Sequence, residues 1–438
     1  MNVSIRCLLA ATCAIGVASP LCAAEIQTDA STLFRFWSRD VTGSQRESLM
    51  PATQLLGLDA TKLADGNLSL HLHGWGRYDL ADQSYNSDKA NGNLDYGYLR
   101  YRFDAANADI RAGRFSVREG IISELVDGAS LRTDLPYGFG ISAFGGAPVH
   151  SAHLSGETTD GKGNVVGGGR LNYRYNGLFE LGASAVAESK SSAVTGHPAA
   201  SYRRYGGDLW LSPLRAVELM GRSSYDPETK RLADNSWRLN ITPIQGLILT
   251  GEFDDYNERS YLNSWKLMST AELDPSRNSR TTGGRVSYQV SRNVTLSGDY
   301  KHYMRLGGSA DRFGGEVKLT AFDNALRTGL GYHYLNAGPQ FAITSTASAS
   351  YHELRAYALH DTKTYFAAVD LLGQLFKEKI YGEKNAWEAL ASLGYHITPA
   401  LAISGDISHG RNPEFTRETK GLVRLTYNTT FDLTGGKK

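Results

Sequence analysis

From residue 67 onward the chain alternates apolar and polar positions with a period of two, the mark of strands that offer one apolar face. In NLSLHLHGWGRYDL one face reads Leu68, Leu70, Leu72, Gly74, Gly76, Tyr78 and Leu80, and the other Ser69, His71, His73, Trp75, Arg77 and Asp79. LFELGASAVAES sets Phe179, Leu181, Ala183, Ala185 and Ala187 against Glu180, Gly182, Ser184 and Glu188. RFGGEVKLTA and GLVRLTYNTTFDL repeat the pattern through Phe313, Val317 and Leu319 and through Val423, Leu425, Tyr427 and Phe431. Such runs last 9 to 14 residues, where an ordinary strand has about five or six. A bilayer core requires strands of roughly 9–11 tilted residues. Aromatic residues such as Tyr101, Phe103, Tyr175, Tyr225, Trp237 and Tyr332 gather toward the ends of the apolar faces, as at the two interfaces of a membrane.

Twenty such strands are predicted, within two either way, and their connections alternate short with long. The short ones include AANA, LPYG, Asn176-Gly177, SPLRA, TPIQG, SRN, FDNA, HDTK and TP, rich in residues that turn a chain tightly. The long ones fall near 81–92, 148–166, 190–199, 258–279, 337–350 and 411–419. Short turns at one end and long loops at the other are the wiring of a transmembrane barrel. The expected fold is therefore all-β, a closed antiparallel transmembrane β-barrel with short periplasmic turns and long outer loops. Segment 262–272 fits an extra strand or part of a loop, and Val369, Leu372, Phe376 and Ile380 also fit helical spacing.

Residues 25–66 break the alternation. STLFRFWSRD reads as a short strand and PATQLLGLDATKL as one or two helical turns. This segment is expected as a periplasmic extension or a plug folded into the barrel mouth, ahead of a barrel over 67–433 and a tail at 434–438. Residues 1–24 read as a signal peptide: Arg6, an apolar stretch over 7–17, and small residues leading to a cut after Ala24. Pro20 and Leu21 stand before Cys22, where a lipoprotein signal would carry small residues. A chain exported in this way into a cell outer membrane is that of a Gram-negative bacterium.

Composition narrows the function. The three cysteines, Cys7, Cys13 and Cys22, all lie in the leader, so the exported part has no disulfide frame, thiolate metal site or nucleophilic thiol. It has no C-x-x-C-H either, so it binds no haem c covalently. Beyond the leader, acidic and basic residues number 45 each, and no long basic run offers a nucleic-acid surface. No later apolar run reaches the roughly 18 residues of a spanning helix.

With the apolar face toward lipid, the polar face lines the lumen. Its candidate residues are Arg77, Arg100, Arg102, Arg170, Arg174, Arg204 and Arg222, with Glu218 and Glu252. Arg285, Arg312, Glu316, Glu353 and Arg355 continue it. Over all the inward positions, fifteen basic against twelve acidic, the two signs nearly balance, which suits cross-strand pairing in a wet barrel or a docking wall for a guest, and argues against strong ion selectivity. Motifs for catalysis or metal binding are weak. Gly156–Gly163 lacks the Ser or Thr and the strand-to-helix setting of a phosphate loop. His71 and His73 share a face without evident third and fourth metal ligands, and His150 and His153 flank a loop. Asp406 and His409 fall on opposite faces, so no enzyme is expected; a barrel enzyme or adhesin is the reserve reading.

GWGRYDL (74–80), LDYGYLRYRF (94–103), IRAGRFSVREGIISELVDGASLRTDLPYGFGISAFGGAPV (110–149) and the closing RLTYNTTFDL resemble barrels of metal-respiring delta-type proteobacteria. Some members are the porin component of porin–cytochrome conduits. The resemblance implies an insulating sleeve around a periplasmic multihaem c-type cytochrome that meets a second cytochrome outside, with the haem c carried by the partner. The residues themselves leave a second reading open: a general or solute-specific diffusion porin, narrowed by an inward-folded loop at 148–166 or 258–279.

Overall fold

A strand in hydrocarbon must pair its backbone groups with neighbours on both sides, so the alternating segments are stable only in a sheet without edges. The computed structural model has this form. It describes residues 25–41, 46–64, 66–81, 89–149, 164–189, 202–227, 230–257, 278–305, 308–338 and 350–432. The leader with its cysteines, the tail beyond 432, segment 262–272, His150, His153 and the loop at 156–163 lie outside the described residues.

The chain opens with β1 (Glu25–Val41), β2 (Arg46–Leu49) and β3 (Pro51–Leu63). Then come β4 (Leu68–Asp79), β5 (Ala90–Phe103), β6 (Ala108–Glu119), β7 (Ile122–Asp134), β8 (Phe139–Pro148) and β9 (Val166–Tyr175). β10 (Phe179–Glu188), β11 (Tyr202–Leu214), β12 (Val217–Asp226), β13 (Arg231–Ile241) and β14 (Leu247–Asn257) follow. The second half runs through β15 (Asn278–Ser291), β16 (Val294–Arg305), β17 (Gly308–Ala321), β18 (Leu326–Ala337) and β19 (Tyr351–Asp361). β20 (Tyr365–Ile380), β21 (Glu383–His396), β22 (Leu401–Arg411) and β23 (Phe415–Asp432) complete it. From β3 onward each strand pairs antiparallel with the next, and β23 pairs with β1 from Asp432↔Glu25 to Phe415↔Val41, which closes the cylinder. β2 and β3 pair with the upper and lower parts of β1 and form one stave. The barrel therefore has 22 staves.

The twenty strands predicted from residue 67 correspond to β4–β23. The two additional staves come from 25–66, which is neither an extension nor a plug but part of the wall. Its alternation is masked because Leu55 falls on the inward row of β3 beside Thr53 and Asp59, whereas Gln54 falls on the outward row. The resulting Leu55, Leu56, Leu58 spacing imitates a helix. Likewise Val369, Leu372, Phe376 and Ile380 lie in strand β20. Among the described residues the only helical turns are two single 3-10 turns, at Asp104–Ala106 and Pro136–Gly138.

Turn chemistry follows the residue types. Asn176 and Gly177 both take positive φ, 42° and 70°, as a two-residue hairpin demands. Tyr381 and Gly382 do the same at the opposite end, at 49° and 86°. The long-loop end thus also contains tight hairpins, which the expected alternation of short and long did not include.

Outward rows carry Phe34, Leu99, Leu131, Leu181, Leu330, Leu354 and Leu425, all exposed. An exposed apolar belt on every stave is a surface built for lipid. Single cysteines replacing Leu70, Val317 or Leu425 are expected to react with a lipid-soluble maleimide in reconstituted membranes. Cysteines at Lys318 and Arg424, one residue away on the opposite face, are expected to react only with a water-soluble reagent. Equal labelling of both sets by the lipid-soluble probe would remove the assigned faces.

Candidate functional site

Four neighbouring strands carry glycine at one height. Gly113 on β6 pairs with Gly128 on β7, Gly128 pairs with Gly146 on β8, and Gly145 pairs with Gly167 on β9. Gly113 has φ +127°, open to few residues other than glycine. A Cβ on Gly128 would collide with the Gly145 carbonyl oxygen, and one on Gly146 would lie 2.6 Å from the Gly128 Cα. The strands approach so closely here that only glycine fits, and glycine within a strand marks such a bend.

Past this row β6 and β7 leave the wall. Their tip, Gly120-Ile121, reaches β10 and β11, three and four staves away around the barrel. The Ile121 N–H donates to Ser184 Oγ at 3.3 Å. A Cβ on Gly120 would lie 2.6 Å from both Ser184 Oγ and Asp208 Oδ2, and one on Gly206 would lie 2.7 Å from Ile121 Cγ2. Beneath this span sits an apolar cluster inside the lumen: Phe115, Val117, Ile121, Ile122, Val126, Phe144, Val166 and Val186. Val126 and Val166 are fully buried and Phe115 nearly so. Each such side chain contributes about 1.5–3 kcal/mol by leaving water. On the other face Arg114 forks onto Asp127 at 2.7 and 2.8 Å and donates to the Leu94 carbonyl at 2.9 Å, tying the bend to β5. Glu119, near the tip, accepts from Ser142 Oγ on β8 and lies 3.9 Å from Arg132.

The alternation predicts plain wall over 108–117 and 125–134 and an inward element in 148–166 or 258–279, which fall mostly outside the described residues. A signal was available. Phe115, Val117 and Val126 are apolar residues at inward positions, and glycine recurs in GRF, DGA and FGG at matching register.

The predicted lumen residues sit on inward rows, in three groups. Beside the hairpin, Arg170 bridges Asp208 at 2.5 Å and Glu180 at 2.9 Å, and Arg174 joins Glu180 at 2.6 Å. Arg222 pairs with Asp234 at 3.0 Å, and buried Arg204 acts on the same carboxylate. Glu218 accepts from Trp210 Nε1 at 3.0 Å and Asn240 Nδ2 at 3.1 Å, and Glu252 pairs with Lys301. Across the second half of the barrel, Arg312 lies between Asp299 (3.1 Å) and Glu353 (3.6 Å), and Glu316 gathers Lys318 at 3.3 Å and Arg285 at 3.9 Å. Arg355 grips Asp370 at 2.5 Å. On the first strands, Arg100 pairs with Asp109 at 3.2 Å and Arg102 with Asp104 at 3.3 Å. Among the described residues Arg77 makes no ion pair.

Two imidazole–carboxylate pairs stand on the strand that carries Arg77. His71 Nδ1 meets Asp59 at 2.5 Å and His73 Nδ1 meets Asp95 at 2.8 Å, with the rings stacked on Tyr98 and Tyr96. A bulge between His73 and Gly74 brings Asp95 into reach. Among the described residues, no three His, Cys, Asp or Glu side chains converge to hold a metal ion.

No protein-family model and no curated protein sequence matches the chain. Solved structures do. A ferric enterobactin receptor (PfeA) mutant from Pseudomonas aeruginosa, in complex with enterobactin, aligns with a TM-score of 0.57 at 10% identity. The alignment covers 94% of this chain and 82% of that one. The fold is that of an outer-membrane barrel. A second mutant of the same receptor aligns with a TM-score of 0.56 at 10% identity, over 94% of this chain and 81% of that one. The outer membrane protein opdK of Pseudomonas aeruginosa covers 93% of this chain and 99% of its own at 13% identity, with a TM-score of 0.41.

Proposed function

We propose that this chain is an outer-membrane channel in which small polar solutes cross along the lumen wall beneath the β6–β7 hairpin. The observation that carries this reading is the hairpin itself, bent at a glycine row and packed on its own apolar cluster. A wall segment has no reason to bury apolar residues inside a polar lumen unless narrowing the passage is its task. The paired carboxylates and guanidinia around it give a polar path without a dominant sign. Purified barrel in planar bilayers is expected to give discrete conductance steps from a haem-free preparation. A lipid-inserted barrel that never conducts would remove this reading.

The sleeve reading has an observation of its own. With strands about 4.8 Å apart and tilted about 40°, a 22-stave cylinder is roughly 45 Å across at the backbone. The hairpin spans only the arc from β6 to β11, which leaves the rest of the lumen to a folded guest. This agrees with the resemblance to porin–cytochrome conduits, in which a multihaem c-type cytochrome brings the haem and an outer-surface cytochrome completes the relay. Co-purification with haem, together with conductance that appears only when the cytochrome is stripped, is the outcome this second reading expects.

A further inference from the structure

Below the hairpin tip the wall recedes into a niche whose polar lining includes Arg170, Asp208, Arg222, Ser236, Arg238 and Asp254, with Gly120 overhanging it. Arg170 and Asp208 are engaged with each other, and Arg222 with Asp234. Among the described residues two charges have no charged partner. Arg238 makes no ion pair among the described residues, because Glu252, directly opposite in register, is held by Lys301. Asp254 accepts from Ser236 Oγ at 2.6 Å and Tyr256 OH at 3.3 Å, both on Oδ1, while Oδ2 has no donor among the described residues.

The register sets Ser236 opposite Asp254 and Arg238 opposite Glu252, which makes Arg238 and Asp254 diagonal neighbours. Diagonal positions lie about 7–8 Å apart. Arg222 and Asp234, related in the same diagonal way, meet at 3.0 Å, whereas Arg238 and Asp254 do not bridge; a small molecule carrying both a carboxylate and an ammonium can join them, with a charge-assisted hydrogen bond of about 2.8 Å at each end. A lone anion would meet Asp208, Asp254 and Glu252, and a lone cation Arg170, Arg222 and Arg238. Trp210 and Met220 form an apolar edge to the same niche, room for a side chain.

We infer that the niche is a binding site for small zwitterions of the α-amino acid class, with Arg238 taking the carboxylate and Asp254 the ammonium. The inference rests on the channel reading for its role in transport, though binding can be measured without it. The test uses the full barrel in detergent and L-alanine as probe, against propionate and ethylamine, which each lack one of its charges. Equilibrium dialysis is expected to show alanine binding at least about tenfold tighter than either control. Arg238→Gln and Asp254→Asn are each expected to weaken alanine about tenfold or more while the variants remain folded by circular dichroism. Alanine binding no tighter than the two controls, or unchanged in both variants, overturns the site, and the first comparison needs no variant. Conductance steps read on the same preparations separate the two ideas. Steps without alanine preference reject the niche alone, whereas alanine preference without steps rejects the channel alone.

Discussion

Val126→Asp is expected to release the β6–β7 hairpin from the wall and raise single-channel conductance severalfold. Val126 is fully buried in the lumenal cluster, among Phe115, Ile122 and Phe144. A carboxylate placed there without a partner costs several kcal/mol. Opposing that loss near the tip are two hydrogen bonds, from Ile121 N–H to Ser184 and from Ser142 O–H to Glu119, worth about 1–3 kcal/mol each. Arg118 is exposed but held in the paired hairpin, so trypsin added from the loop side is expected to cut after it once the tip is mobile in the variant and to spare the parent. Parent-like conductance together with a protected Arg118 would mean that the hairpin is not what narrows the lumen.

Gly128→Val attacks the bend instead of the docking. The new side chain meets the Gly145 carbonyl across the ladder, so β7 and β8 must separate and the strands can no longer kink at this height. The expected result is a hairpin held straight, a wider pore, and a cysteine at position 121 that reacts with bulky water-soluble reagents from outside. Gly251→Val is the control, since nothing lies within 4 Å of a Cβ there. If Gly128→Val conducts and labels like Gly251→Val, the glycine row has no part in the inward fold. Should the Gly128 variant fail to assemble, Gly146→Ala probes the same row with a smaller insult, and an intermediate conductance is expected.

The strands from residue 67 to the end were legible because one face meets hydrocarbon and the other water, which writes a two-residue rhythm into Leu70, Phe179, Val317 and Leu425. That rhythm fails wherever the inward face does not meet water. Leu33 and Leu55 face inward on the first staves, and the helical look of PATQLLGLDATKL follows from Leu55. The hairpin was hidden for a related reason. Phe115 and Val126 are apolar on the lumen side because they meet each other, and strand register, unknown from sequence, is what brings them together. Charge partners were legible as a set but not as pairs. Arg170 finds Asp208 two strands away, across a glycine at 182 that leaves room for the guanidinium.

The seam between β1 and β23 joins residues separated by nearly the whole chain. Its hydrogen bonds cannot form until the last residues have been made, so the order of synthesis and the order of sealing are opposed. Contacts of such long sequence separation carry the largest entropic cost and form slowly. Until then the nascent cylinder keeps two bare edges, each a template for unwanted strand pairing. A cell that makes this protein must therefore shield two open strand edges until β23 is in place, and a chain cut short before β23 keeps that danger permanently.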